Sequence, residues 1–413
     1  MPVYNLAVRI LLLNLYYPPD TSATAKMAEK VVKVLAARNE VTILCGRPSY
    51  DPSARRSWRP YQTERSATAR IIRVGSTDFP RIQMKRRMLN YLTYSALVIP
   101  RALCAPCDVV LAMTDPPFAG IIGAFVAMLK RKPYFYNIRD MYPDMAVGGS
   151  IIKPGPAARL WEKLHRWALC RATKVIVLGE DMRSRILSKG VRAERIEIVR
   201  DGAEVHTAHS PPQLDPEVIR AIRGDFRFVL LHAGNLGFYG AWPELIAAAK
   251  QLSGDGIGFV FVGEGAQRNE VESLAANVAN VRFLPFFPSS KVESVLAAAD
   301  AHLITVKRGL EGVVVPSKMY GILAAGKPIV AVAPRETDSV ALGEKLGFSI
   351  GADPDRPEEI AKAVRTLAAD PERLERMGSA AREAANRYDR AKQLQKFQQV
   401  IALSDTADGE PSS

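Results

Sequence analysis

Residues 311–332, EGVVVPSKMYGILAAGKPIVAV, show in one stretch the alternation of apolar run and helical segment that continues along this chain. A valine run precedes Pro316 and a Ser-Lys pair, an apolar segment of helical period then ends at Gly326, and a second apolar run follows at 328–332. Proline favours the first turn of a helix and glycine favours its end. The stretch therefore predicts a helix over 317–325 that leads into a strand.

The same alternation extends along the chain in both directions, which is typical of parallel sheets covered by helices. The predicted strands lie at 7–14, 41–44, 71–74, 108–112, 133–138, 174–178, 196–199, 228–233, 258–262, 281–283, 301–304 and 328–332. The predicted helices lie at 22–37, 85–103, 118–130, 156–170, 181–189, 242–252, 267–276, 290–298, 317–325, 338–346, 357–369 and 371–387. We therefore predict an α/β fold.

The 413 residues exceed what one hydrophobic core usually organises, so two domains are expected. Residues 206–226 are polar and carry three prolines, which indicates a linker. We predict doubly wound, Rossmann-like domains at 1–205 and 227–387, a helix at 388–403 that packs back on the first domain, and a disordered tail at 404–413. Two such domains place their strand ends around a shared cleft, where ligands bind in such folds.

Composition limits the class of protein. Apolar residues make up 48% and charged residues 24% of the chain, as in soluble packed proteins. The longest apolar run, 118–129, is shorter than the roughly 20 residues of a membrane-spanning helix, and four scattered cysteines suit a reducing cytoplasm. The Cys104–Cys107 pair ends a helix-like segment, whereas a redox motif opens one.

A net charge of +13 favours an anionic partner: nucleic acid, acidic lipid or a phosphorylated substrate.

Three loops at the predicted strand ends suit phosphate. The turn 234–237 contains two glycines, which let a ligand approach the backbone, and it precedes a helix start, where N–H groups attract anions. Ser317 and Lys318 supply a hydroxyl that can cap and an ammonium at a second helix start. Residues 263–265 form a third loop at this edge. A diphosphate site or plain strand-to-helix turns both explain these features.

Several acids and aromatic residues face the predicted cleft. Glu311 can accept hydrogen bonds from sugar hydroxyls, or it is a solvated loop acid. Asp140 follows the strand at 133–138 and so points into the predicted cleft, where it is the best candidate acid, unless it forms an ion pair that holds the loop. The loop at 16–21 lies at the cleft edge or is an ordinary turn. His232 lies in an apolar strand and is interpreted as a core residue.

Motifs along nearly the whole chain resemble the glycosyltransferase family 4 enzymes, which have a GT-B fold. The likeness is closest to bacterial members that build surface polysaccharides. The motifs are GNLG at 234–237, VGEG at 262–265, FLPFFPSSKVESVLAAADAHLI at 283–304, PSKMYGILAAGKPIVA at 316–331, YYPPDTSATAKMAEKVVKVLAARNEVTILCG at 16–46, MTDPPFAG at 113–120 and YNIRDMYPDMAV at 136–147.

The resemblance implies a retaining transferase with a sugar nucleotide held by the second domain, an acceptor held by the first, and no obligatory metal or cofactor. Carried over by position, donor contacts fall at Gly234, Asn235, Gly237, Glu264, Phe287, Ser317, Lys318 and Tyr320. Glu311 contacts the transferred sugar, Lys318 stabilises the leaving diphosphate, and Asp140 is the acid at the acceptor. Acceptor contacts fall at Tyr17, Thr21 and Arg139.

The chain departs from the family pattern in two places. Gly321 stands where most members have a second glutamate that meets the donor ribose. Residues 238–241 are Phe-Tyr-Gly-Ala where many members have an Arg and a Lys that neutralise the diphosphate. Lys318, together with Arg308, Lys307 or Arg139, is then expected to supply the positive charge.

The segment 81–101 is cationic and amphipathic, with Lys85, Arg86 and Arg87 ahead of an apolar helix. It is either a solvated helix face or a contact with an anionic membrane, which would suit a lipid-linked acceptor and a location on the inner face of the cell membrane. Three alternatives to the transferase stay open: a sugar-nucleotide epimerase, a degenerate transferase that binds a partner, and a basic nucleic-acid-binding protein. The lack of aromatic and Arg-rich RNA motifs disfavours the last.

Overall fold

A computed structural model describes residues 7–49, 59–79, 84–149, 151–205 and 213–402. Its strands form one eight-stranded and one six-stranded sheet, each flanked by helices. We call the parts of the chain built around these sheets the first and the second domain. The predicted pair of α/β domains with parallel sheets is confirmed.

The first domain has a central strand, β1, from which the sheet grows in both directions. The strands are Arg9–Leu13 (β1), Glu40–Gly46 (β2), Tyr61–Arg65 (β3), Arg70–Val74 (β4), Val109–Ala112 (β5), Tyr134–Asn137 (β6), Lys174–Val177 (β7) and Ile196–Ile198 (β8). The helices are Ala23–Ala36 (α1), Met84–Cys104 (α2), Ala119–Lys130 (α3), Asp144–Gly148 (α4), Pro156–Arg171 (α5) and Glu180–Ser188 (α6). The strand order is β3-β4-β2-β1-β5-β6-β7-β8, and the β3–β4 pair alone is antiparallel among the described strands.

The second domain is built in the same way around β9. Its strands are Phe228–Ala233 (β9), Ile257–Val262 (β10), Val281–Leu284 (β11), Ala301–Thr305 (β12), Ile329–Val332 (β13) and Ser349–Ala352 (β14), in the order β11-β10-β9-β12-β13-β14. The helices of this part of the chain are Pro216–Arg223 (α7), Trp242–Gln251 (α8), Arg268–Leu274 (α9), Val292–Ala297 (α10), Lys318–Ala324 (α11), Asp338–Leu346 (α12), Pro357–Ala368 (α13), Pro371–Arg387 (α14) and Arg390–Ala402 (α15).

Alternate residues of the central strands enter different cores, because successive side chains of a strand point to opposite faces of a sheet. In β1, Ile10 and Leu12 pack with α1 on one face, while Leu11 and Leu13 pack with α2 and α3 on the other. Strand β9 divides its residues between two cores in the same manner. Both sheets are therefore buried on both faces, which explains why their strands read as continuous apolar runs.

Two strands and two helices were not predicted from the sequence. Strand β3 is a polar, exposed edge strand, and β14 has the sequence SIGA, so neither has the apolar pattern that identifies a buried strand. Helix α4 has only five residues. Helix α7 lies within the predicted linker 206–226 and buries Val218 and Ile222 against the second domain, so the prediction of a linker throughout was wrong. Residues 206–212 and the predicted tail lie outside the described residues.

The chain crosses between the domains at two places that lie side by side. Helix α15 follows the second domain but buries Phe397 and Val400 against α1 of the first. Just before it, the Ala203 N–H donates to the Tyr388 carbonyl at 2.8 Å, and the Arg390 N–H donates to the Ala203 carbonyl at 2.8 Å. The strand that leaves the first domain and the strand that returns to it are thus hydrogen-bonded to each other.

Within the described ranges, none of the helices combines the length and the apolar character needed to span a membrane.

Candidate active site

The candidate site lies at the switch point of the second sheet. Strands β9 and β12 are neighbours there, and the chain leaves them toward opposite sides of the sheet. The loops 234–241 and 306–317 therefore start next to each other at the carboxyl ends of parallel strands, where open α/β sheets bind ligands. The predicted glycine turn and the predicted Ser-Lys pair are brought to one place.

Two glycine loops are packed against each other at this edge. Gly234 and Gly263 have φ values of +151° and +145°, which L side chains rarely adopt. The Leu236 N–H donates to the Glu264 carbonyl at 2.9 Å, and a Cβ at Gly263 would collide with the Gly234 carbonyl oxygen. The Trp242 indole N–H donates to the Gly237 carbonyl at 2.7 Å. Gly263 therefore leaves no room for a side chain, and these hydrogen bonds hold the backbone of the two loops in place.

Lys318 reaches this loop from the start of α11. Its Nζ lies 2.8 Å from His232 Nδ1, and a Cβ built on Gly234 would be 3.9 Å from the same Nζ. Among the described residues, no carboxylate forms a salt bridge with Lys318. Burial lowers the pKa of Lys318 to about 7, because the charged form is poorly solvated. An anion placed beside Gly234 would supply the missing opposite charge.

Ser317 and Tyr320 differ from their predicted roles. Ser317 is exposed beside Lys318, but its hydroxyl does not cap α11, so the predicted capping was wrong. Tyr320 is only 1% exposed. Its hydroxyl lies beside the Arg200 guanidinium in the interface between the domains, and burial raises its pKa. Tyr320 is therefore a core residue and not a donor contact, whereas Ser317 stays a predicted one.

The residues predicted at the base and ribose are partly rearranged. Phe287 packs against the core beside Val262, while Phe286 is 56% exposed and lies next to Gly263, so Phe286 is the aromatic ring that is free to stack. Glu264 is exposed and pairs with Arg268, one helical turn further on. Asn235 is exposed, and its carbonyl accepts from the Tyr239 hydroxyl at 2.5 Å.

Glu311 borders a cavity between the two domains. Its carbonyl accepts from Arg185 Nη1 at 3.0 Å, whereas its side-chain Oε2 is enclosed and has no hydrogen-bond partner among the described residues. The cavity has a volume of about 520 Å³ and is also lined by Asp144, Arg185 and Lys189. Lys189 Nζ is engaged by Asp144 and Glu162, both at 2.8 Å. The Glu311 carboxylate is thus a hydrogen-bond acceptor that still lacks a donor.

Asp140 lies where the domains meet, opposite a residue that follows Glu311 by three positions in the chain. Its backbone pairs with Val314, and the neighbouring Met141 N–H donates to the Val313 carbonyl at 3.2 Å. Burial and the nearby Asp115 raise the pKa of Asp140 to about 6. The ion pair considered for this loop is made by Arg139 instead, with Asp201 at 2.7 Å. The Asp140 loop of the first domain therefore lies next to the loop that carries Glu311.

Two of the cations expected to assist Lys318 are already engaged. Arg139 is held by Asp201, and Arg308 is held by Asp353 at 2.8 Å and by Asp355 at 2.5 Å. Both guanidinium groups therefore already have carboxylate partners. Lys307 is the remaining candidate beside Lys318.

The predicted acceptor loop contains one exposed and one buried residue. Thr21 is exposed, but Tyr17 is 4% exposed and packs in the core of the first domain, so its side chain does not face an acceptor. Arg87, which the sequence placed on the membrane-facing segment, turns inward instead. Its Nη2 donates to the Tyr16 hydroxyl at 3.0 Å, and its guanidinium lies 5.3 Å from the centre of the Tyr91 ring.

Two residues of the candidate site were not identified from the sequence. His232 holds Lys318, yet a histidine in an apolar strand gives no signal that distinguishes it from a core residue. Arg87 contacts the cleft loop although its neighbours suggest a surface helix. In both cases the partner is distant in the sequence: 86 residues separate His232 from Lys318, and 71 separate Arg87 from Tyr16.

Family models match both domains. Residues 22–202 match the model described as "Glycosyl transferase 4-like domain", and residues 221–384 match "Glycosyl transferases group 1". Together the two matches extend over most of the chain, and residues 203–220, between β8 and β9, separate them.

Individual proteins agree with these matches. The chain is 24% identical over 390 residues to the putative colanic acid biosynthesis glycosyl transferase WcaI of Escherichia coli (strain K12), with 87% of this chain and 91% of the relative covered. Anabaena Alr3699/HepE in complex with UDP-glucose superposes with a TM-score of 0.68 at 17% identity, covering 96% and 99% of the two chains. For sucrose-phosphate synthase from Thermosynechococcus elongatus, the TM-score is 0.73 at 15% identity, with 97% and 100% covered. These structures share the fold.

Proposed function

The chain belongs to the GT-B glycosyltransferases of the family 4-like type, and on that premise we propose that it transfers a sugar from a nucleoside diphosphate in the synthesis of a bacterial surface polysaccharide. The name of WcaI supports the choice of product class, and the UDP-glucose complex of Alr3699/HepE supports the choice of donor class. The observation that carries the proposal is Lys318, an ammonium without a carboxylate partner among the described residues, beside the bare backbone of Gly234.

In the proposed mechanism, catalysis is mainly electrostatic. The diphosphate lies against Gly234–Gly237, and Lys318 stabilises the charge that develops on it as the glycosidic bond breaks. The enclosed carboxylate oxygen of Glu311 accepts hydrogen bonds from the sugar and positions it. Asp140, ionised above its pKa of about 6, takes the proton of the acceptor hydroxyl. The product retains the anomeric configuration, and the reaction requires no metal.

Nucleotide binding tests the proposal directly. We expect one of UDP, GDP, ADP and CMP to raise the thermal midpoint of the wild type, since a ligand at 100 times its Kd adds about 2.7 kcal/mol of stability. Lys318→Ala should lose this shift. Lys327→Ala is a matched control at the other end of α11: Lys327 Nζ donates to the Ala297 and Ala299 carbonyls, so its loss should lower the midpoint but keep the nucleotide shift. No shift with any nucleotide would contradict the proposal.

An activity measurement separates the transferase from its alternatives. Nucleoside diphosphate release from a sugar nucleotide that needs a lipid extract from the cell membrane indicates transfer to a lipid-linked acceptor. Release without any acceptor indicates an epimerase or hydrolase. Binding without release in either case indicates a degenerate transferase, which the glycine at position 321 also suggests.

We further propose that the first domain rests on an anionic membrane. Helix α3 packs between α2 and α5, so the three helices form one surface, which we call the three-helix face. It exposes Leu89, Leu92, Phe125, Leu129, Leu160 and Leu164, interspersed with exposed basic residues Arg86, Arg131, Arg159 and Lys163. Apolar side chains within a basic surround are the pattern that binds anionic lipid surfaces. Such contact would bring the cleft to a lipid-linked acceptor.

Sedimentation with vesicles that contain anionic lipid tests the three-helix face. We expect binding that weakens as salt rises, because surface charges are screened. Arg159→Glu with Lys163→Glu should weaken binding by at least about fivefold per charge, since each basic residue contributes about 1 kcal/mol. Reversal of Arg373 and Arg376 on α14 of the second domain is the matched control. Equal losses in both double variants would refute the assignment of this face. Arg87 is excluded from the set because it faces the cleft.

A further inference from the structure

His232 is an unusual partner for a lysine. It is fully buried near the end of β9, with its ring edge-to-face against Trp242 at 5.0 Å between centroids and tilted against Phe261 at 6.1 Å. Burial, followed by the Lys318 charge, lowers its pKa well below the ordinary value, so the imidazole is neutral. A neutral imidazole carries a proton on one nitrogen and a lone pair on the other. Nδ1 lies 2.8 Å from Lys318 Nζ and Nε2 lies 3.4 Å from it, so we assign the lone pair to Nδ1, where it accepts from the lysine.

The packing around His232 fixes the position of that lone pair. The two aromatic neighbours prevent the ring from turning, and Trp242 is itself tied to the glycine loop through Gly237. The other titratable group nearby is His302 on β12, whose Nε2 donates to the Leu296 carbonyl at 3.0 Å and whose pKa is lowered to about 4 by burial. No carboxylate of the described residues forms an ion pair with either histidine. A single rigid acceptor therefore holds the Lys318 side chain.

We propose that His232 is the positioning residue of this site, which holds the Lys318 ammonium beside Gly234 so that it meets the diphosphate of the incoming donor. The inference rests on the proposed function. His232 acts through Lys318 and does not itself contact the reacting atoms. Without His232, the Lys318 side chain, which has four rotatable bonds, would have no acceptor that fixes it at the glycine loop before the ligand arrives. The conformational entropy lost when the ligand orders this side chain would then weaken binding.

The pair also makes nucleotide binding depend on protons. With a pKa of about 7, unliganded Lys318 is mostly neutral at pH 8, whereas a bound diphosphate favours the charged form and raises the pKa. Binding at pH 8 should therefore take up nearly one proton. The affinity should fall by up to about tenfold per pH unit above 7, because a proton must be bound at increasing cost.

Two substitutions of His232 distinguish positioning from packing. The side-chain oxygen of His232→Asn can take the place of Nδ1, whereas His232→Leu fills the apolar pocket but accepts no hydrogen bond. If His232 served packing alone, His232→Asn would bind nucleotide more weakly than His232→Leu, because a polar amide in apolar surroundings is destabilising. If His232 positions Lys318, His232→Asn should bind nucleotide more tightly than His232→Leu. His302→Leu is the matched control, a buried histidine on the adjacent strand that does not contact Lys318 by a hydrogen bond.

Calorimetric titration with the nucleoside diphosphate that binds the wild type provides the readout, in two buffers of different ionisation enthalpy. We expect His232→Leu to weaken binding by about tenfold or more and His232→Asn by less than about threefold, while His302→Leu keeps the wild-type affinity. Proton uptake at pH 8 should persist in His232→Asn, whereas Lys318→Ala should show no binding. Wild-type affinity in His232→Leu, together with loss of binding in Lys318→Ala, would overturn the positioning role alone. Absence of binding to the wild type would overturn the proposed function.

Discussion

Gly321 stands where the family resemblance implies a glutamate, and this side chain can be introduced by substitution. It lies exposed within α11, and a Cβ built there would find only Leu296 Cδ1, at 4.0 Å. Members of the family that this chain resembles carry a glutamate at this place, which meets the donor ribose. We expect Gly321→Glu to fold and to bind the nucleoside diphosphate several-fold more tightly, as measured by calorimetry.

Gly321→Ala is the control for this substitution. Both variants replace a glycine within a helix, so both should raise the free energy of unfolding by about 0.5–1 kcal/mol. Only the glutamate adds a carboxylate that can accept from ribose hydroxyls. Equal nucleotide affinities in the two variants would show that position 321 does not reach the ribose.

Single residues also show how far the sequence could be used to predict the site. Gly234 and Lys318 could be placed because glycines and lysines at helix starts carry a local signal. Phe287 could not be placed, since its neighbour Phe286 is also aromatic and only the tertiary packing decides which of the two is buried. Tyr320 could not be placed either, because the sequence does not show that α11 buries this face against the first domain. The contact of His232 with Lys318 depends on how β9 lies beside the loop that follows β12, so no local sequence pattern predicts it.

At the scale of elements, the contact between the loops after β9 and β10 gives a prediction. Gly263→Ala places a methyl group against the Gly234 carbonyl at a positive φ. Gly254→Ala, in the turn before β10, has a φ of +94° but meets no atom within 4 Å. We expect the control to lose about 1–2 kcal/mol from its backbone conformation alone, and Gly263→Ala to lose more and to abolish nucleotide binding. Chemical denaturation and the thermal shift with nucleotide measure both effects.

The elements themselves were predicted where a hydrophobic pattern marked them. Every predicted strand of the second sheet is present within a residue of its expected bounds, because strands buried on both faces read as apolar runs. Strand β3 and helix α7 were missed, since an exposed edge strand and a short helix between proline-rich residues lack that pattern. The strand order within each sheet depends on how the helices pack, so no local sequence pattern predicts it.

At the scale of the whole molecule, Asp181 links the domain interface to pH. Its carboxylate accepts from the Asp338 N–H at 3.3 Å across the interface, and the Asp338 carboxylate forms a buried ion pair with Arg200. Burial, followed by the charge of Asp338, raises the pKa of Asp181 to about 6, above its value in an unfolded chain. The folded protein therefore binds the proton more tightly than the unfolded chain, and this contribution to stability is lost as the pH rises through 6.

Asp181→Asn should remove this loss. The quantity to compare is the thermal midpoint of the variant minus that of the wild type. This difference should be several degrees larger at pH 7.5 than at pH 4.5, since a shift of about two pKa units corresponds to about 2–3 kcal/mol. Any hydrogen bond that the amide fails to make lowers both values equally and cancels in the comparison. The same difference between wild type and variant at both pH values would show that Asp181 titrates normally in the folded protein.

The paired strands at Ala203 and Arg390 have a mechanical consequence. A single covalent connection would let one domain swivel freely about any bond within it. Here the two connections are tied together by the hydrogen bonds of a parallel bridge, so they resist torsion, while bending about one axis stays soft. We therefore expect the cleft to open mainly by a rotation about this paired crossing, so that each closure brings the Asp140 loop back to the loop that carries Glu311.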